Sequence, residues 1–213
     1  MKQLTVIMIL ILISSCNPTN DPVNDPVNDS TNDFENYDKG VELLGAVNAD
    51  DQIDYLKAIE YFDKSIQSNP NHIESKYWKV HCEFKLGNFD EVLVVSKSVI
   101  SNPKMKNYKM LPDFYVYAGL VEKVNGNYQE SNLYFSNALD NYNSWINYNE
   151  NDTQAIMNKA MVLCYMGKKN KAISFLDLIS SNNKNQTEFE QIRQGIVDFD
   201  SEEFVNELVK GRE

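Results

Sequence analysis

The stretch YVYAGLVEKVNGNYQESNLYFSNAL, Tyr115–Leu139, decides the fold. Two helical segments flank Asn125-Gly126-Asn127, and the glycine supplies the positive φ that most residues avoid, so the stretch reads as a helical hairpin. Tyr115, Ala118, Gly119 and Glu122 recur at helical spacing on the first segment, and Ser131, Phe135 and Ala138 do so on the second. Each helix therefore presents a stripe to the other, and the small residues Gly119 and Ala138 let the two backbones approach closely.

Other parts of the chain repeat the pattern. Leu86-Gly87-Asn88-Phe89 and Met166-Gly167-Lys168-Lys169 copy the central turn, each followed by an amphipathic segment. The anchor of the second helix runs Ala58, Val92, Ser131, Ala172, and four residues later stand Phe62, Ser96, Phe135 and Leu176. This arrangement resembles the tetratricopeptide (TPR) repeat, a unit of about 34 residues with aromatic-x2-Leu-Gly-x2-Tyr on its first helix and Ala-x3-Phe on its second. Ser131 stands where the family has Ala, and Glu122 where it has Tyr. The later repeats are longer than the family period, which places insertions after Val99 and after Ala138.

The resemblance implies an all-α fold, a right-handed α-α superhelix of about four helical hairpins over residues 34–70, 71–103, 112–148 and 152–183. Residues 186–213 follow as capping helices, opened by Thr187-Glu-Phe-Glu190, a capping-box pattern, and by Asp200-Ser-Glu-Glu203. Their acidic outer residues suit the polar cap that a solenoid needs at its end.

The N-terminus reads differently. Met1-Lys2-Gln3 precedes an apolar run from Leu4 to Ile13 and then Ser14-Ser15-Cys16. A charged start, a short apolar region and small residues at the cut make a signal peptide, and the run falls short of the roughly 20 helical residues that span a bilayer. Ile13-Ser14-Ser15-Cys16 resembles the lipobox of bacterial lipoproteins, which implies cleavage after residue 15 and lipidation of Cys16. From Asn17 to Asp33 the chain is NPTNDPVNDPVNDSTND, without an aromatic residue and with repeated Pro, a composition that buries no apolar surface and makes an extended tether. Fully stretched it reaches on the order of 55 Å. Within it, Asp29-Ser30-Thr31 resembles a short O-glycosylation signal of exported bacterial proteins.

With a formal net charge of −11 over 213 residues, the chain lacks the clustered Lys and Arg that phosphate backbones require, which disfavours a nucleic-acid partner. The small basic island of Lys104, Lys106 and Lys109 reads as a solvated loop. Asn48, Asp50, Gln52 and Asp54 alternate as calcium ligands do, but the loop lacks the glycine of an EF-hand and has Ile59 at the position of its last carboxylate, so a solvated loop with Asp54 as N-cap is the reading. His72 follows a turn, and His81 and Cys82 point about 100° apart on one helix, so no catalytic constellation forms and no cofactor is implied. Cys82 and Cys164 fall in repeats that do not adjoin, which makes them buried free thiols.

TPR proteins of this pattern hold protein segments along a concave face lined by their first helices. Carried over by position, that face comprises Trp78, Cys82 and Lys85, then Val116, Leu120 and Lys123, then Gln154, Met157, Met161 and Tyr165. The set is mainly apolar, with adaptable Met residues, and fits an amphipathic or extended apolar segment of another envelope protein; the alternative is that the protein's own terminal segment fills the groove. The implied role is that of a non-catalytic adaptor held to an envelope membrane by its lipid. A second reading takes Tyr142, Trp145 and Tyr148, in the Asn-rich run after Leu139, as an aromatic patch for glycan or nutrient; the same residues at helical spacing also suit a lengthened third hairpin.

Overall fold

The computed structural model describes residues 31–45, 53–180 and 186–210. The signal peptide, Cys16, Ser30, most of the tether and the loop from Asn48 to Gln52 lie outside them. Among the described residues the chain forms ten α-helices and no strand: α1 Thr31–Gly45, α2 Tyr55–Ser68, α3 Ile73–Lys85, α4 Phe89–Ile100, α5 Leu111–Val124, α6 Tyr128–Tyr148, α7 Thr153–Tyr165, α8 Lys169–Ser180, α9 Gln186–Asp198 and α10 Ser201–Lys210. The chain divides into two compact units, one spanning Val23–Val121 and the other holding Glu122–Glu213.

Local chemistry sets the helix limits. Asp54 opens α2 by accepting the amide of Lys57 at 2.9 Å, and Asp152 opens α7 by accepting that of Ala155 at 3.1 Å. His72, not one of the usual capping residues, opens α3 with Nδ1 accepting the amide of Ser75 at 3.2 Å. Each satisfies one of the amides that a helix start leaves without an intrahelical partner. Within three hairpins the turn is a glycine at positive φ: Gly87 at 75°, Gly126 at 79° and Gly167 at 71°. In each turn the residue after the glycine donates to the carbonyl five positions back, Asn88 to Glu83, Asn127 to Glu122 and Lys168 to Leu163. That is the long bond of a Schellman motif, and it closes the first helix of each hairpin.

Between hairpins a second turn recurs. Asn69 and Asn149 end α2 and α6 in nearly the same extended conformation, φ −136°, ψ 96° and φ −137°, ψ 97°. Their side chains accept the amides of Asn71 and Asn151, two residues on. The sequences NPNH, 69–72, and NEND, 149–152, are thus one Asn-based turn written twice.

In the Val23–Val121 unit the antiparallel neighbours α1 and α2, α2 and α3, and α3 and α4 pack in succession. Ala58, Phe62, Val92 and Ser96 are fully buried there, as the anchor pattern requires. Tyr77 fills the centre, with its ring edge-on to Phe114 at 6.3 Å and to Tyr117 at 6.2 Å. Burying each such side chain is worth roughly 1.5–3 kcal/mol. The insertion after Val99 contains a 3-10 turn, Pro103–Met105, pinned by the fully buried Met105. One sequence boundary moves: α1 begins at Thr31, so the tether does not reach Asp33. The Asp33 carboxylate is buried and accepts Asn69 Nδ2 at 3.0 Å, a contact between positions 36 apart that no local pattern announces.

In the Glu122–Glu213 unit α6 packs on α7, α7 on α8, and α9 on α8 and α7. Ser131, Phe135, Ala172 and Leu176 are buried at their anchor positions. The insertion after Ala138 lengthens α6 to 21 residues, carrying Tyr142 into the core.

Candidate functional site

The positions assigned to the first-helix face are placed unequally. In the Val23–Val121 unit, Trp78, Cys82, Val116 and Leu120 are all buried, and Leu120 is only 1% exposed. Trp78 packs edge-on against Tyr77 at 5.4 Å and against His81 at 5.6 Å. In this structure these side chains are packed among their neighbours. Lys85 is half-buried; burial pushes its amine down to about 8, against the opposing pull of the nearby Cys82 thiol. The thiols of Cys82 and Cys164 are both pushed up to about 12 by burial, which leaves them protonated and inert.

In the Glu122–Glu213 unit, Met157, Met161 and Tyr165 are buried as well, while Gln154 and Lys123 are half-buried. Gln154 Nε2 donates to Asn158 Oδ1 at 2.9 Å along α7. Here the reason for burial is visible. The Tyr165 ring stacks on Phe135 at 6.1 Å on the core side, meets Phe199 edge-on at 5.8 Å and stacks on Phe204 at 5.5 Å. Phe204 belongs to α10, so the C-terminal segment of this chain lies over the end of the first-helix stripe. Lys123 is drawn into the same corner: its ammonium donates to the backbone carbonyl of Tyr165. Burial lowers the Lys123 pKa, and the charge of Glu202 on α10 opposes that shift.

Glu122 explains one departure from the repeat pattern. It is buried and accepts Asn127 Nδ2 at 2.7 Å, just as Glu83 accepts Asn88 Nδ2 at 2.7 Å. A carboxylate in place of the expected Tyr staples the helix end to its own turn. In the third copy Leu163 and Lys168 occupy these positions and only the backbone bond remains.

The aromatic run after Leu139 does not form a patch. Tyr142 is buried, Trp145 is half-buried and Tyr148 is 86% exposed. Six residues apart on a helix, Tyr142 and Tyr148 lie about 120° round the axis from one another, so one turns to the core while the other faces water.

His72 and His81 are structural. His72 caps α3, and His81 Nδ1 lies 2.9 Å from the Tyr117 hydroxyl in the core. Among the described residues there is no group of three His, Cys, Asp or Glu side chains able to hold a metal ion. Nor is any helix long and apolar enough to cross a membrane.

Helical hairpins, three of them closed by a positive-φ glycine and each with two buried anchors four residues apart on its second helix, have a parallel among solved structures. A thermophilic TPR protein from Thermus thermophilus, known from its crystal structure, superposes with a TM-score of 0.54 at 17% sequence identity, covering 83% of this chain and 87% of that one. The fold is TPR-like. No protein-family model and no curated protein matches the chain at the level of sequence. The TPR-like framework accounts for the hairpins and their anchors. The four rings Phe135, Tyr165, Phe199 and Phe204, with Lys123 beside them, form a cluster that the anchor pattern alone does not specify. Sequence reading placed Tyr165 and Lys123 and left open that the chain's own terminal segment fills the groove, but did not single out the covering residues, although Phe204, Val205 and Leu208 already show the spacing of an apolar helix face.

Proposed function

We propose that this protein is a non-catalytic adaptor that binds a segment of another envelope protein and is tethered by lipid at Cys16 to a membrane of a bacterial cell, the outer membrane where there is one. The observation that carries the adaptor reading is the TPR-like fold itself, a framework of helical hairpins. The lipid anchor rests on the charged, apolar and small-residue layout of residues 1–16, and the reach of the Asn-, Asp- and Pro-rich tether suits a domain held clear of headgroups. Of the three aromatics of the glycan-binding alternative, Tyr142 is buried and Tyr148 is exposed, which favours the adaptor reading.

Two measurements test the proposal. A photoreactive residue placed at Lys85 or at Gln154, both half-buried and so within reach of a bound segment, is irradiated in intact cells and the products are identified by mass spectrometry. The expected result is one recurring envelope protein; recovery of none from either position ends the adaptor reading. Cys16→Ala is expected to move the protein from the membrane fraction to the soluble fraction, and unchanged membrane association would dispose of the lipid anchor.

A further inference from the structure

Helix α10 is held differently from the helix before it. In α9, Phe189, Ile192 and Ile196 are all buried, whereas no residue of α10 is. Its apolar residues Phe204, Val205 and Leu208 are half-buried and Val209 is exposed. The ring contact it makes with α7 is that of Phe204 on Tyr165, beside the charge of Glu202 near Lys123. Phe199, in the two-residue connection between α9 and α10, is buried, packs edge-on against Tyr165 and also meets Phe204 at 5.6 Å. Removing α10 would therefore leave Tyr165 supported by Phe135 and Phe199, with one ring face and the Lys123 ammonium uncovered.

A ten-residue helix is marginal by itself, since isolated helices below about 12–15 residues barely form in water. The helical state of α10 thus depends on its seat and on Asp200, whose carboxylate accepts the amides of Glu202 at 2.8 Å and Glu203 at 3.0 Å. These features describe a docked ligand more than a core element: an acidic first turn toward a lysine, one aromatic on a tyrosine, and a two-residue hinge.

We propose that α10 is the resident, displaceable occupant of a helix-binding seat formed by Tyr165 and Lys123, and that the partner that replaces it is a protein helix of the same chemistry. That helix carries acidic residues in its first turn, an aromatic residue just after them and aliphatic residues one turn further on. The existence of such a partner rests on the adaptor reading; the seat and its strap do not. While α10 is seated, the apparent affinity for an external helix falls in proportion to the fraction of seats that stand open.

The experiment uses a fluorescent peptide of residues 200–210 titrated onto the full-length protein and onto full-length Phe204→Ala. Emptying the seat is expected to raise the affinity for the peptide at least about tenfold. Adding Lys123→Gln should weaken it again, and a peptide carrying Phe204→Ala should not bind. Equal affinity for the two chains, or binding to neither, overturns the proposal. The unaltered chain gives a second reading that does not depend on any variant folding: amide hydrogens of residues 203–208 are expected to exchange at least about tenfold faster than those of residues 190–197, and matching rates would overturn it equally. Because the peptide assay needs no envelope partner, cross-linking that recovers nothing while the peptide difference persists would remove the adaptor reading and leave the strap in place.

Discussion

Gly40 lies close against the ring of Phe62. A Cβ built on Gly40 would stand 2.5 Å from Phe62 Cε1 and 2.7 Å from Cζ, closer than any real contact, and the Phe62 ring is fully buried between α1 and the rest of its unit. Gly40→Ala should therefore destabilise the protein by about 1–3 kcal/mol, the cost of overpacking, even though alanine is by itself worth up to about 1 kcal/mol over glycine within a helix. Gly195 in α9 makes the control, because a Cβ there meets nothing within 4 Å. Gly195→Ala should gain up to about 1 kcal/mol. Urea unfolding of both variants gives the two signs, and a Gly40→Ala protein as stable as wild type would refute the close approach.

Gly126 is constrained by conformation alone. Its φ is +79° and a Cβ would meet nothing within 4 Å, so any cost of substitution comes from the backbone and not from a neighbour. Gly126→Val should cost at least about 1–2 kcal/mol, while Gly126→Asn, which tolerates the left-handed region, should cost clearly less. Thermal melts of the pair test this; equal melting temperatures for Val and Asn would show that the turn does not impose positive φ.

Lys79 on α3 links its two neighbours. Its ammonium is 2.8 Å from Asp63 on α2 and 2.9 Å from Glu91 on α4. Burial alone would lower its pKa, but the hydrogen bonds it donates to the two carboxylates, together with their charges, outweigh burial and raise it. Because Asp63 and Glu91 remain about half exposed, the linkage is screened by salt. Lys79→Met should lose about 1 kcal/mol at low ionic strength and markedly less in 1 M salt. A loss independent of salt would assign the effect to packing of the side-chain stem.

What could be read from sequence follows from how far each feature reaches along the chain. The limits of α2 were legible because Asp54 and Asn69-Pro70 sit at its ends, and the three hairpin turns because glycine marks them. The core anchors Ala58, Phe62, Phe135 and Leu176 follow from a spacing of four, which is local geometry. By contrast, Asp33 is buried through Asn69, and Tyr165 through Phe199 and Phe204, contacts over 34 to 39 positions that helical periodicity does not encode. Periodicity tells which side chains share a face; it does not tell what covers that face. The same limit made Tyr142 and Tyr148 look alike in sequence although only one reaches the core.

His81 supplies a pH dependence whose sign can be worked out. It is buried beside the Tyr117 hydroxyl, and desolvation, assisted by the charge of Lys85, lowers its pKa from 6.5 to about 3. The unfolded chain thus binds a proton at this residue between those values while the folded chain does not. The contribution of His81 to stability is complete above the unfolded pKa of about 6.5 and is lost as pH falls toward 3, at roughly 1.4 kcal/mol per pH unit. His81→Gln keeps a hydrogen-bonding group near Tyr117 but cannot titrate, so it should be less stable than wild type at pH 7.5 and lose less on going to pH 5. Urea unfolding at the two pH values measures the difference. Equal losses in the two proteins would mean that His81 carries its proton in the folded state as readily as in the unfolded one, and the buried neutral imidazole would have to be abandoned.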